Sequence, residues 1–316
     1  MNSRKRSILL VLVAACFLTA AVSPVVAKTP APSPLTVDTI TTGLHVVRDL
    51  NNGNTVVFAG EDGVLVVDTK SQELSGALLG KIAEISDRPI RFVVNTHWHF
   101  DHVAGNEAFA TTGATLISHE NVRRRMSTEQ KIDLFDMRFP PAPKPALPVV
   151  TFTRDLTLHL NGEAVRLFQV APGHTDGDAI VYFPKANVIH VGDLYFNGLY
   201  PYIGVPTGGS IDAMIAVGRS VLGMIDDNTV IVPGHGPLAG KADYTGYLEM
   251  LTAIRNAVRD RIAEGGSKEA VIAAKPTRAF DEKWGHGFLK PDDFAGLVYM
   301  DLSRTASQPQ NGQKSQ

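Results

Sequence analysis

Short apolar runs rich in valine, isoleucine and threonine, each bounded by turn residues, crowd the first two thirds of the chain. They are TTGLHVVRD, NTVVFAG, GVLVVDT, IRFVVNTH, ATLIS, DLTLHL, AVRLFQV, DAIVYFP, NVIHVGD and TVIVPGH. Their length and β-branched content predict strands. Asn52-Gly53, Asp62-Gly63 and Asn161-Gly162 stand between neighbouring runs, so hairpins and a largely antiparallel sheet are expected.

Helical periodicity is rarer. After Ser210, a good N-cap, the apolar positions Ile211, Met214, Ile215, Val221, Leu222 and Ile225 share one face. Tyr247, Leu251, Ile254, Val258 and Ile262 repeat that spacing, and residues 73–85 and a short piece after Asp101 also read as helices. Helices with one apolar side, beside strands of this kind, predict sheets packed in the middle with helices outside.

Composition bounds this picture without changing it. The 316 residues are 44% apolar, enough for a substantial core, and no repeat or long linker divides residues 37–305, so one domain is expected there. A formal net charge of −2, with no long Lys/Arg run in the body, excludes nucleic acid as an expected partner. The ends differ from the body. Arg4, Lys5 and Arg6 precede an apolar stretch from Ile8 to about Val22 that closes on Val25-Val26-Ala27, the layout of a signal peptide spanning residues 1–27. A periplasmic or secreted protein, with no stable membrane insertion after processing, is the expectation. The sole cysteine, Cys16, lies in Val13-Ala14-Ala15-Cys16, which offers lipoprotein anchoring as an alternative to cleavage at Ala27. The body therefore has no cysteine to ligate a metal, attack a substrate or form a disulfide. Residues 28–36 are a Pro-rich spacer, and the polar tail 306–316 is expected to be disordered.

Candidate chemistry concentrates in NTHWHFDH, Asn95 to His102, which follows the apolar run IRFVV. In extended backbone His97 and His99 face one side, and Trp98 and Phe100 the other, toward the core. Asp101 and His102, at the start of a helix, can turn to the same cleft as the two histidines. Further along, His174, Asp193 and His235 end QVAPGH, VIHVGD and VIVPGH, each directly after a glycine (Gly173, Gly192, Gly234) that permits a sharp strand-to-loop turn. Five histidines and two aspartates exceed what one tetrahedral zinc ion uses. They fit two Zn2+ ions better: His97, His99 and His174 on one, Asp101, His102 and His235 on the other, and Asp193 bridging.

These motifs, in this order after a strand ending in Asp68, resemble the metallo-β-lactamase superfamily. The resemblance implies an α/β (α+β) fold of the four-layer αβ/βα sandwich type, a dinuclear site at the sheet edges, and a role for Asp68 as a carboxylate behind the ligands that orients them. It also narrows the branch. The cysteine-ligated members are excluded, and members with a glutamate at the position of His99 fit poorly. Glyoxalase II enzymes use basic residues after the bridging aspartate, whereas no Lys or Arg occurs here from Ala186 to Gly218.

Two ions sharing a water imply metal-assisted hydrolysis of an activated acyl bond in a small-molecule substrate, with Asp101 both ligating and accepting a hydrogen bond from the nucleophile. A β-lactamase-like activity is the first expectation. A lactonase, esterase or thioesterase is the alternative, a mononuclear iron persulfide dioxygenase a further one, and a non-catalytic zinc-binding protein a third. After Asp193, Tyr195, Phe196, Asn197, Tyr200 and Tyr202 are candidate pocket residues. Segment 120–148, with Arg123 to Arg125 and several prolines, reads either as a cover for the cleft or as a solvated face.

Overall fold

The computed structural model describes residues 35–306. The expected signal peptide, its alternative at Cys16, nearly all of the spacer and the polar tail lie outside the described residues.

Fourteen strands are assigned among the described residues: β1 Thr36–Thr41, β2 Leu44–Arg48, β3 Thr55–Gly60, β4 Gly63–Val67, β5 Ile90–Asn95, β6 Thr115–His119, β7 Gln130–Ile132, β8 Met137–Phe139, β9 Val150–Phe152, β10 Asp155–Leu160, β11 Glu163–Gln169, β12 Ala179–Phe183, β13 Val188–His190 and β14 Val230–Val232. The α-helices are α1 Ser75–Ile85, α2 Phe100–Val103, α3 Asn106–Ala110, α4 Glu120–Met126, α5 Ile211–Met224, α6 Lys241–Ala263, α7 Lys268–Ala273, α8 Asp281–Trp284 and α9 Pro291–Ala306. One sheet has seven strands in the order β1-β2-β3-β4-β5-β6-β9, a second has five in the order β10 to β14, and β7 and β8 form a separate hairpin.

Strand alternation builds the layers. Val46, Val56, Leu65, Val67 and Val94 of the first sheet pack with Val165, Leu167, Val181 and Phe183 of the second in a core between the sheets. Their alternates Val47, Val57, Val64, Val66 and Val93 face the other way, onto Leu78 and Ile82 of α1 and Phe109 of α3. On the far side of the second sheet, Ile180, Ile189 and Ile231 meet α5, α6 and α9 through Ile215, Leu251, Ile254 and Val298. Helix, sheet, sheet and helix make the expected four layers.

Two of the expected hairpins close in two residues. Gly60 pairs with Gly63 across Glu61-Asp62, and Leu160 pairs with Glu163 across Asn161-Gly162. Asn161 and Gly162 both have positive φ, 54° and 72°, the turn whose twist matches that of the strands. The β2–β3 connection is longer, and Asp49 Oδ1 accepts the N–H groups of Asn51 and Asn52 at 2.7 and 2.9 Å to shape it.

Most strand pairs are antiparallel, as expected, and the exceptions are β4, β5, β6 and β9, which run parallel, as do β13 and β14. Each of these crossovers carries helix: α1 between β4 and β5, α2 and α3 between β5 and β6, α4 between β6 and β9, and α5 between β13 and β14. Ser210 also departs from its expected role: it makes no side-chain cap bond, and Asp301 of α9 accepts the Ile211 N–H at 2.8 Å instead. No helix among the described residues is long and apolar enough to cross a membrane.

Candidate metal centre

The cluster forms where the two sheets present their carboxyl ends to one side. Asp68 follows β4, the octet follows β5, His174 follows β11, Asp193 follows β13 and His235 follows β14. His97, His99, His174 and Asp193 form one group whose candidate ligand atoms lie within 4.8 Å of one another, and Asp101, His102 and His235 form a second. Asp193 touches both groups. Its Oδ2 lies 3.6 Å from His97 Nε2, 3.4 Å from His174 Nε2 and 3.5 Å from His235 Nε2, and its Oδ1 lies 3.1 Å from His102 Nε2. All seven sequence-predicted donors are thus brought together in space.

Ring orientation is set from behind. His102 Nδ1 donates to Asp68 Oδ2 at 2.8 Å, which turns Nε2 inward. His174 Nδ1 donates to the Tyr202 carbonyl at 2.8 Å, so its Nε2 carries a lone pair when the ring is neutral. Asp68 is fully buried, and it also accepts Thr96 N–H and Thr96 Oγ1–H at 2.8 and 2.7 Å. It therefore couples the end of β4 to the turn that begins the octet.

The residues fit metal ions on their own chemistry. Nitrogen and carboxylate donors without sulfur suit zinc and similar divalent ions. Ring nitrogens converge on the same space: His99 Nδ1 and His174 Nε2 lie 2.7 Å apart, and His102 Nε2 and His235 Nε2 3.4 Å apart. The buried Nε2 atoms of His97 and His99 have no hydrogen-bond partner. Polar atoms left this way in a buried site are costly unless something occupies the space they share.

The two groups differ electrically. Burial, reinforced by His102 for one and His174 for the other, holds His97 and His99 well below the usual imidazole range. Burial acts in the same direction on His102 and His235, but carboxylates outweigh it: Asp193 and Asp101 raise His102 well above its ordinary value and His235 to about 9. Burial would raise Asp193 and Asp101 too, yet the surrounding imidazoles lower both, Asp193 strongly. A field that keeps protons on His102 and His235 is one that favours cations there.

Close approach depends on two glycines. A Cβ on Gly234 would fall 1.9 Å from Asp193 Oδ1, and one on Gly53 would fall 2.1 Å from His102 Cε1. Gly234 belongs to the motif that presents His235; Gly53 was legible only as a turn residue. Two buried charges were also missed. Asp178 accepts the N–H groups of His174 and Thr175 at 2.7 and 2.9 Å and so shapes the His174 loop, while burial raises its carboxyl. Lys70, fully buried, donates to the Gly53 carbonyl at 2.6 Å and pairs with Asp49 at 3.2 Å, tying the β2–β3 loop to the end of β4. A lysine directly after an apolar strand, in DTK, was the available signal.

Above the donors lies a cleft of about 640 Å³. Of the five pocket candidates, Phe196 and Tyr202 line it; Tyr195, Asn197 and Tyr200 do not. Tyr195 packs on Tyr244 and Tyr247 of α6, with ring centroids 4.7 and 4.8 Å away. Tyr200 stacks on Phe294 and donates to Asp281 Oδ1 at 2.9 Å, and the Asn197 amide donates to the Pro237 carbonyl. After Asp193 the loop packs against helices, which takes Tyr195 and Tyr200 away from the metals, while Asn197 turns to the Pro237 carbonyl.

Phe100 is a correction in the opposite direction. Trp98 is buried as expected, but Phe100 is only half-buried and lines the cleft. Strand alternation ends there because α2 begins at that residue, and the ring stacks on Phe139 with centroids 5.2 Å apart. Segment 120–148 frames the cleft through Ile132, Phe135 and Met137. Its arginines point elsewhere: Arg124 and Arg125 pair with Asp176, and Arg123 donates to the Pro148 carbonyl. His119 caps α4, accepting the Asn121 N–H, and takes no part in the cluster.

Comparison with known proteins agrees with this geometry. The 2,4-dinitroanisole O-demethylase subunit alpha of Nocardioides sp. (strain JS1661) is 23% identical over 253 residues, 77% of this chain and 71% of that protein. A hydroxyacylglutathione hydrolase from Polaromonas sp. (strain JS666 / ATCC BAA-500) is 25% identical over 235 residues, 73% of this chain and 80% of that protein. Among solved structures, a metallo-beta-lactamase from Pontibacter korlensis superposes with a TM-score of 0.59 at 20% identity, covering 69% of this chain and 99% of that one, which shows a shared fold. The family description "Metallo-beta-lactamase superfamily" matches residues 48–245, a span that holds Asp68 and all seven clustered donors, and the chain belongs to that superfamily.

Proposed function

We propose that the chain is an exported, dinuclear zinc-dependent hydrolase that cleaves an activated carbonyl bond in a small molecule. The observation that carries this reading is Asp193, whose two oxygens stand 3.1 to 3.6 Å from four histidines belonging to both donor groups. His97, His99 and His174 would hold one ion and Asp101, His102 and His235 the other, with Asp193 between them. When bound, such a pair supplies a water of lowered pKa and polarises a carbonyl oxygen.

The chain's own part is to orient, to exclude water and to handle a proton. Asp68 and the Tyr202 carbonyl fix the inward-facing nitrogens of His102 and His174. Asp101 lines the cleft with Oδ2 held 3.2 Å from His235 Nε2, where it can accept a hydrogen bond from the attacking water and orient it toward the carbonyl carbon. Phe196, stacked on His235 with centroids 5.0 Å apart, and Tyr202 shield the donors from bulk solvent.

β-Lactams, lactones, thioesters and esters all present the required carbonyl. Export would place the enzyme where β-lactams act, so a cephalosporin is the first substrate to offer, followed by an acyl lactone and an aryl ester. Metal analysis should find close to two zinc per chain, and the zinc-loaded protein should turn over at least one of the three, an activity that His97→Ala and Asp101→Ala each remove. One iron per chain would support the dioxygenase alternative, and no turnover of any of the three would overturn hydrolysis. Recovery of a processed chain outside the cytoplasm checks the export.

A further inference from the structure

We infer that the cleft takes an uncharged, apolar substrate and that Phe135 and Phe288 select it. The inference rests on the hydrolase reading and narrows it to one chemical class, uncharged esters and lactones, which ranks them above a cephalosporin, since that substrate carries a carboxylate. The walls carry the argument first. Apart from the donors at the floor and Asn51 and His286, the side chains facing the cleft are apolar or aromatic, and no lysine or arginine is among the described residues that line it. A carboxylate placed along these walls would be desolvated without a cationic partner, which is strongly unfavourable.

The rim supplies the second observation. Phe135, in the β7–β8 turn, and Phe288, between α8 and α9, are 37% and 50% exposed, yet their ring centroids are 5.9 Å apart. Leu50, also on the cleft, is 88% exposed. A single exposed apolar side chain is ordinary, but three converging on one cleft mark a binding surface. From the rim, rings continue to the floor on two sides. Phe135 contacts Tyr202 at 5.5 Å, and Tyr202 contacts His99 at 5.7 Å. Phe288 contacts Phe196 at 6.1 Å, and Phe196 stacks on His235. Two aromatic walls therefore descend to the donors, one through Tyr202 to His99 and the other through Phe196 to His235 and His174.

A substrate matching this shape places its carbonyl at the floor and an apolar acyl chain between the two walls. Hydrolysis then adds water across the acyl C–O bond: the hydroxyl goes to the carbonyl carbon, a proton to the leaving oxygen, and nothing is oxidised or reduced. The volume of about 640 Å³ is within the range of small-molecule sites.

The test compares p-nitrophenyl esters from acetyl to octanoyl with a suberate monoester of the octanoyl length that ends in a carboxylate. Each methylene fully buried on such walls is worth about fourfold, so octanoyl should exceed acetyl in kcat/KM by about tenfold or more, and the terminal carboxylate should forfeit that gain. Phe135→Ala and Phe288→Ala should each lower the octanoyl-to-acetyl ratio, mainly through KM. A flat chain-length series, or a preference for the carboxylate ester, overturns the inference. Calorimetry with octanamide and suberic acid monoamide, on zinc-loaded and metal-free protein, separates it from the hydrolase reading. If no ester is turned over, tighter binding of octanamide that weakens in Phe135→Ala still supports the cleft chemistry, and equal or reversed binding overturns it.

Discussion

Floor and rim of the cleft are built on opposite principles. Every donor at the floor is at least nine-tenths buried, and His102 and His174 are each held by a partner on a different strand or loop. At the rim, Leu50, Phe135 and Phe288 are exposed, come from three distant segments, and find contacts largely among other cleft residues. The floor thus couples metal binding to the stability of the fold, while the rim can change with little cost to either. Substitutions should therefore separate into two kinds.

Asp68→Ala should have the largest effect. It strands the His102 ring and two Thr96 donors in a fully buried position, and breaking a buried pair from one side typically costs about 3–5 kcal/mol. Zinc affinity should fall by about 10- to 100-fold as His102 loses its orientation. Urea unfolding and a zinc titration measure both; a loss of stability below about 1 kcal/mol would mean that the floor is not a rigid frame. Gly234→Ala should come next. Its new Cβ would meet Asp193 Oδ1 at 1.9 Å, so Asp193 must move and the chain should bind fewer ions, with an overpacking cost of about 1–3 kcal/mol.

The same contrast explains what could be read from the sequence. Floor residues announce themselves because ligand chemistry is local: HWHFDH packs four donors into six residues, and Gly173, Gly192 and Gly234 stand directly before the other three. Rim residues have no such signature. Phe135 and Phe288 stand in mixed segments with no motif around them, and only the meeting of the β7–β8 hairpin with the loop before α9 gives them a shared role. Tyr195 and Tyr200 failed in the reverse sense: an aromatic after a strand end looks the same whether it faces the cleft or, as these do, Tyr244 and Tyr247 of α6 and Phe294 of α9. The layers were legible from alternation in β2 to β5. Parallel pairing of β4 with β5 was legible as well, since a helix at 73–85 lies between them and a crossover of that kind joins parallel strands. Phe294, Leu297, Val298 and Leu302 carry the spacing that would have predicted α9.

A third test uses pH on the metal-free protein. His235, raised to about 9, and His102, also raised, contribute stability that is complete below the ordinary imidazole pKa and is lost as pH climbs through the folded values. His97 and His99, depressed by burial, contribute stability that is present above about 6.5 and is lost as pH falls toward their folded values. Stability without metal should therefore peak near neutrality and decline by on the order of 1–3 kcal/mol toward pH 9, and bound zinc, which competes with protons on His102 and His235, should remove that alkaline decline. Chemical unfolding from pH 6 to 9, with and without zinc, measures it, and identical profiles would show that the two donor groups do not differ in charge.

The smallest effect belongs to the rim. Phe288→Ala removes a ring that is half exposed, so urea unfolding should change by no more than about 0.5 kcal/mol and zinc stoichiometry should not change. If that substitution instead lost zinc or destabilised the fold by as much as Gly234→Ala, the contacts of Phe288 with His235, directly at 6.3 Å and through Phe196, would be carrying structural load down to the metals. The division between a floor that holds and a rim that selects would then fail on that side of the cleft. Phe135→Ala would show whether the Tyr202 side behaves differently, since Phe135 reaches the donors through Tyr202, whose carbonyl, not its ring, orients His174.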